Sequence, residues 1–109
     1  MCTVDSALQD DCISLVQRRD AEGTYLIRIG TLQTVVTISL RRTWGSRTAF
    51  RQSHAIKTPR QPCPNWSCAP EAETPGDALR KAIIGLTMHY RKAVGEGHSP
   101  AEEWLVPGN

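Results

Sequence analysis

From Thr24 to Arg42 the chain changes polarity at almost every residue. That period of two admits a β-strand and little else, because successive side chains of a strand point to opposite faces. Tyr25, Ile27 and Ile29 fall on one side, Leu26 and Arg28 on the other. Gly30-Thr31 permits a tight reversal, and the alternation resumes over Leu32 to Arg42, with Leu32, Thr34, Val36, Ile38 and Leu40 opposed to Gln33, Val35, Thr37, Ser39 and Arg41. Thr43-Trp44-Gly45-Ser46 reads as a second hairpin connection. After it Arg47 to Lys57 alternates again, with Phe50, Gln52, His54 and Ile56 against Ala49, Arg51, Ser53, Ala55 and Lys57. Upstream, Cys12 to Arg18 ends at the turn-forming cluster Asp20-Ala21-Glu22-Gly23 and reads as a first strand. A helix over residues 5–17, with Leu8, Cys12, Leu15 and Val16 on one face, is the competing reading.

Strands with one apolar face need a cover, and the sequence supplies it downstream. Residues 58–74 hold four of the seven prolines and cannot lie inside a sheet or a helix, since proline lacks the N–H and fixes φ. They form a long loop. Thr74-Pro75-Gly76-Asp77 then opens a helix over 75–94: Thr74 can cap it, Pro75 suits the first helical position and Asp77 complements the dipole. Leu79, Ala82, Ile83, Leu86, Tyr90, Ala93 and Val94 make its apolar stripe, Gly95 closes it, and its length is about 30 Å. In the tail, 100–109, Trp104-Leu105-Val106 is an anchor against the helix or a sheet edge. The expected fold is α+β: an antiparallel meander of three to four strands within about 12–57, with one long C-terminal helix packed on one face. The 109 residues are enough for one such domain and too few for two cores.

Charge is divided unevenly along the chain. Residues 1–23 carry five acids against Arg18 and Arg19, a net of −3, and residues 71–109 carry six acids against four bases, a net of −2. Between them, residues 24–70 carry Arg28, Arg41, Arg42, Arg47, Arg51, Lys57 and Arg60 with no acid, a net of +7. Strands are poor in Asp and Glu in general, but a field of this sign also attracts phosphate or acidic protein surfaces. The alternation places Arg28, Gln33, Thr37, Ser39, Arg41, Arg51, Ser53 and Lys57 on the face turned away from the core. Such a surface has the donors that phosphates and base edges accept. Trp44, flanked by Arg42 and Arg47 in a turn, is an exposed aromatic or a residue folded back on the sheet.

Catalytic and metal motifs are harder to find. Cys63 and Cys68 are spaced C-x4-C, but zinc requires four ligands and the remaining sulfurs and histidines are scattered. Paired or reduced, these cysteines are read as incidental. His54 followed by Pro62-Cys63 faintly resembles the zinc deaminase signature, yet Ile56 stands where the proton-transferring Glu is needed and the cysteines are too far apart. His54 shares a face with Phe50 and Ile56 and reads as a core-edge histidine, without the carboxylate that would orient it for catalysis. No phosphate-cradling glycine loop occurs, and Asn65-Trp66-Ser67 is an incidental match to a glycosylation sequon. No cofactor and no metal are expected. No apolar run approaches the roughly 20 residues of a membrane span, and the N-terminus lacks a secretory signal, so a cytoplasmic protein is expected.

The combination of sheet, loop and helix over residues 24–94 is similar in outline to small DNA-binding modules that set strands into the major groove; no motif accompanies the outline. The expected function is a small non-enzymatic binding module whose basic sheet face engages nucleic acid or a nucleoprotein. Arg28, Arg41, Arg42, Trp44, Arg47, Arg51 and Lys57 are the binding residues. The alternatives are a phage or mobile-element accessory protein that binds and inhibits a host protein complex, in the manner of an anti-CRISPR, or a zinc-binding protein.

Overall fold

The computed structural model describes residues 3–66 and 69–108. A single-turn helix, α1 (Val4–Ala7), leads into β1 (Ile13–Arg19), β2 (Thr24–Ile29), β3 (Val36–Arg42), β4 (Thr48–Gln52) and β5 (His54–Ile56). The proline-rich segment contributes β6 (Glu71–Ala72), and α2 (Pro75–Gly95) and β7 (Leu105–Pro107) complete the chain. Strands β1-β2-β3-β4-β6 form one antiparallel sheet in that order, and β5 pairs with β7 in a second, two-stranded one. The architecture is the expected α+β meander under a long helix, extended at one edge by β6. Of the two readings of residues 5–17, the strand holds for Ile13 onward and helix is confined to α1.

The inner face of the sheet is the core. Tyr25, Ile27 and Ile29 of β2, Val36 and Ile38 of β3 and Phe50 of β4 are buried beneath Leu79, Ala82, Ile83, Leu86, Tyr90 and Ala93 of α2. Thr74 caps α2, its side chain accepting from the Asp77 N–H at 3.1 Å. The stop differs from expectation. Gly95 is still helical; Gly97, at φ 92°, takes the left-handed position, with its N–H on Val94 O and the His98 N–H on Ala93 O. These two bonds satisfy the last carbonyls as a Schellman motif does. Val94 lies off the stripe and is 42% exposed, because the core-facing row ends with Ala93. The tail anchors as expected: Trp104 and Leu105 are buried, and the Trp104 ring meets Tyr90 edge-on at 5.9 Å.

Two expected strands are shorter than their alternation. Leu32 to Val35 precede β3 as irregular chain because the Glu102 carboxylate accepts from the N–H groups of Gln33 (2.9 Å) and Thr34 (2.9 Å) and from the Thr34 hydroxyl (2.7 Å). Those N–H donors are thereby committed to the C-terminal segment. The run Arg47–Lys57 breaks at Ser53. Its N–H still donates to Thr37 O at 2.9 Å, but the Thr37 N–H donates to the Ser53 hydroxyl at 2.8 Å, and the Ser53 carbonyl accepts from the Gly108 N–H at 2.8 Å. A side-chain oxygen replaces a backbone carbonyl in the ladder. The freed carbonyl passes the chain from one sheet to the other.

Candidate functional site

Among the described residues no helix lies over the outer face of the five-stranded sheet. Cross-strand partners share a face, so the register Thr24↔Ser39↔Arg51 and Arg41↔Ala49↔Glu71 sets these residues together on that face. Arg41 and Arg51 are exposed there, and neither forms an ion pair among the described residues. Ser39, Arg41, Ala49 and Arg51 are the floor of a half-open groove of about 750 Å³, of which Trp66 and Gly108 form part of the wall. That volume lies within the roughly 300–1,000 Å³ of ordinary ligand pockets.

The wall is held in place by the chain around it. Asn65 donates its backbone N–H to Ile56 O at 2.9 Å and its side-chain amide to Gly85 O at 3.0 Å, tying the loop to β5 and α2. The adjacent Trp66, 44% exposed, lies against Gly108, where a Cβ would run into the indole. Further along, the Lys81 ammonium donates to the carbonyls of Ala69 and Glu71, and the Phe50 N–H donates to Pro70 O at 2.8 Å. The loop is thus laced to the sheet edge through a proline carbonyl, the one ladder group proline retains.

The seven residues read from sequence do not act as one patch. Arg41 and Arg51 line the groove. Arg47 lies outside the lining of the groove and pairs at 3.4 Å with Glu71, the cross-strand neighbour of Ala49, so part of its charge is already matched. Arg28 shares the outer face, but it pairs with Ser14 of β1, four residues along β2 from Thr24, the partner of Ser39. Arg42, beside Trp44 at the end of β3, stands opposite Thr48 on the side away from Arg41 and is exposed. Lys57 is corrected. The strand break at Ser53 carries it to the end of β5, just beyond the second sheet, where its N–H donates to Trp104 O at 2.7 Å. Trp44 stands out from the hairpin tip, 96% exposed, in a turn where Gly45 and Ser46 both have positive φ.

No protein-family model matches the sequence, and no curated protein or solved structure matches it. The chemistry of the groove has to be read from its own side chains.

Trp66 and Ser39 were missing from the sequence-derived site. Ser39 carried the signal of outward alternation next to Arg41. Trp66 had none, because its role depends on a loop folding back beside a sheet remote in sequence. Elsewhere, the Ser53 hydroxyl and His54 Nδ1 lie 2.7 Å apart. This is a serine beside an imidazole, but its oxygen already accepts from Thr37, and burial holds the His54 imidazolium below the usual histidine range. Among the described residues no group of three or more His, Cys, Asp or Glu could hold a metal ion; Cys63 is exposed and Cys12 partly buried, while Cys68 and Cys2 lie outside the described residues. No helix among the described residues is long and apolar enough to cross a membrane.

Proposed function

We propose that this protein is a non-enzymatic binding module that engages nucleic acid through the outer face of its sheet. The single observation that carries this reading is the placement of Arg41 and Arg51, neither ion-paired among the described residues, on the floor of a groove with an exposed indole in its wall. Arg18 is matched by Asp5 and Asp20, and Arg91 by Asp10, whereas no acid among the described residues pairs with Arg41 or Arg51. Arginines left unmatched on a rigid sheet, beside serine hydroxyls, have the fork of donors that phosphate oxygens accept. The acid-free stretch from 24 to 70 adds a long-range attraction for a polyanion.

Fluorescence anisotropy with labelled single- and double-stranded DNA and RNA, at low and at physiological salt, tests the reading. Binding should weaken steeply with salt. In Arg41→Glu/Arg51→Glu it should be lost at physiological salt, and the residual log–log slope should fall by about 1.5, the share of two phosphate contacts. An unchanged unfolding midpoint should accompany that loss, because both side chains are exposed. Absence of binding at low salt overturns the reading and leaves the face as a docking surface for a protein.

A further inference from the structure

We propose that the groove over β3 and β4 accepts one unpaired nucleotide of a single strand, with its base stacked on the Trp66 indole and its flanking phosphates on Arg41 and Arg51. This rests on the reading of the outer face as a nucleic-acid interface and adds a preference to it, for single strands over duplex. Three features of the groove lead there.

The first is the indole itself. A site for phosphate alone needs cations and hydroxyls; it has no use for a large apolar ring left 44% exposed. Here the ring is set beside the two arginines by the paired hydrogen bonds of Asn65 and by contact with a glycine whose missing side chain makes room for it. Bases stack on such a ring whatever their identity, because each presents a π-face.

The second is spacing. Ser39 faces Arg51 directly and Arg41 is two residues further along β3, so the arginines are diagonal neighbours with Cβ atoms roughly 7–8 Å apart. Their flexible side chains can meet the phosphates on either side of a single nucleotide, with Ser39 between them.

The third is shape. To enter a major groove about 12 Å wide, a two-stranded ribbon has to protrude. Over the groove floor the β3–β4 pair does not: β2 flanks Ser39 and β6 flanks Ala49 within a five-stranded sheet about 20 Å across at ~4.8 Å per strand, and only the hairpin tip stands clear. The wall carrying Trp66 rises beside it. A duplex is held off this floor, whereas one unstacked nucleotide fits the groove of about 750 Å³.

The test uses the full chain in a Trp44→Phe background, which leaves Trp66 as the exposed indole because Trp104 is buried. A short oligothymidylate, an abasic strand of the same length and a duplex are titrated at one low salt concentration. The thymidylate should quench the indole fluorescence and bind roughly 5- to 150-fold more tightly than the abasic strand, the range for one stacked base. Trp66→Leu should erase that difference, and Trp66→Phe should keep most of it. Equal affinity for the thymidylate and abasic strands, or binding without quenching, overturns the nucleotide groove while leaving the outer face as a polyanion surface. If none of the three binds, the functional reading itself has failed. Should Trp66→Leu loosen the C-terminal segment, the quenching measurement still decides, since it requires no change at Trp66.

Discussion

The two faces of the sheet are built from the same strands and differ in almost everything else. On the inner face Ile27, Val36 and Ile38 are completely buried and packed under α2. One residue along in each case, Arg28 is exposed and Thr37 and Ser39 are half-buried, with no helix packed on them among the described residues. Identity on the inner face is dictated by volume, since a close-packed interior registers the loss of a single methylene. Identity on the outer face is free of that constraint. Arg28, Arg41 and Arg51 on this face are exposed and matched by no acid among the described residues, so packing does not dictate them, and of the three Arg41 and Arg51 share the groove.

The sharpest way to break the comparison is to mutate near neighbours on β3. Ile38→Ala should cost about 2–5 kcal/mol of stability, as cavity formation in a core does, while Arg41→Ala should stay within about 0.5 kcal/mol. Urea unfolding of both variants is the measurement. Comparable losses would mean that the outer face is structural after all. Ser53→Ala probes the point where the outer face ends. It leaves the part-buried Thr37 N–H without its acceptor and should cost about 1–3 kcal/mol, with hydrogen exchange accelerating at Thr37 first.

Smaller effects sharpen the outer face further. Glu71→Gln removes the carboxylate that matches Arg47 and should tighten binding of single-stranded DNA a few-fold at low salt, in line with the ~0.2–1 kcal/mol of an exposed pair. A weaker complex would mean that Arg47 does not face the ligand. The smallest effect is local. The backbone N–H of Gln33, then the hydroxyl and N–H of Thr34, hold the Glu102 carboxyl below its ordinary value of 4.5. A lowered carboxyl contributes stability above that ordinary value and loses it as pH falls through the lowered one. The Trp104 fluorescence should therefore change in acid, below pH 4.5, ahead of global unfolding. In Glu102→Gln that early change should be gone.

Most of the fold was legible because its signals are local. Period-two alternation marked β2, β3 and β4, and the cap at Thr74 with the stripe from Leu79 to Ala93 marked α2. Where the reading failed, a distant group had intervened. Glu102 shortened the strand before Val36, and Gly108 drew the chain away at Ser53, which moved Lys57 off the outer face. Arg42, read from the sequence as flanking Trp44, lies at the end of β3 on the side opposite to Arg41, since adjacent strand residues point to opposite sides. The candidate site was half legible for the same reason. Arg41 and Arg51 follow from alternation, but Trp66 sits in a proline-rich loop with no periodicity.

The sequence by itself determined the core-facing rows of β2, β3 and β4 and of α2 as far as Ala93, where α2 would begin and that a positive field would lie between two acidic ends, because dihedral preference, side-chain period and charge are properties of short stretches of chain. Only the tertiary structure decided that β6 would close one edge, that the C-terminal segment would clasp residues 33 and 34, and that Trp66 would stand beside Arg41 and Arg51. These follow from hydrogen-bond donors and acceptors far apart in sequence finding each other once the core has formed. A chain of 109 residues offers many such partners for each group, and the packing of the inner face selects among them.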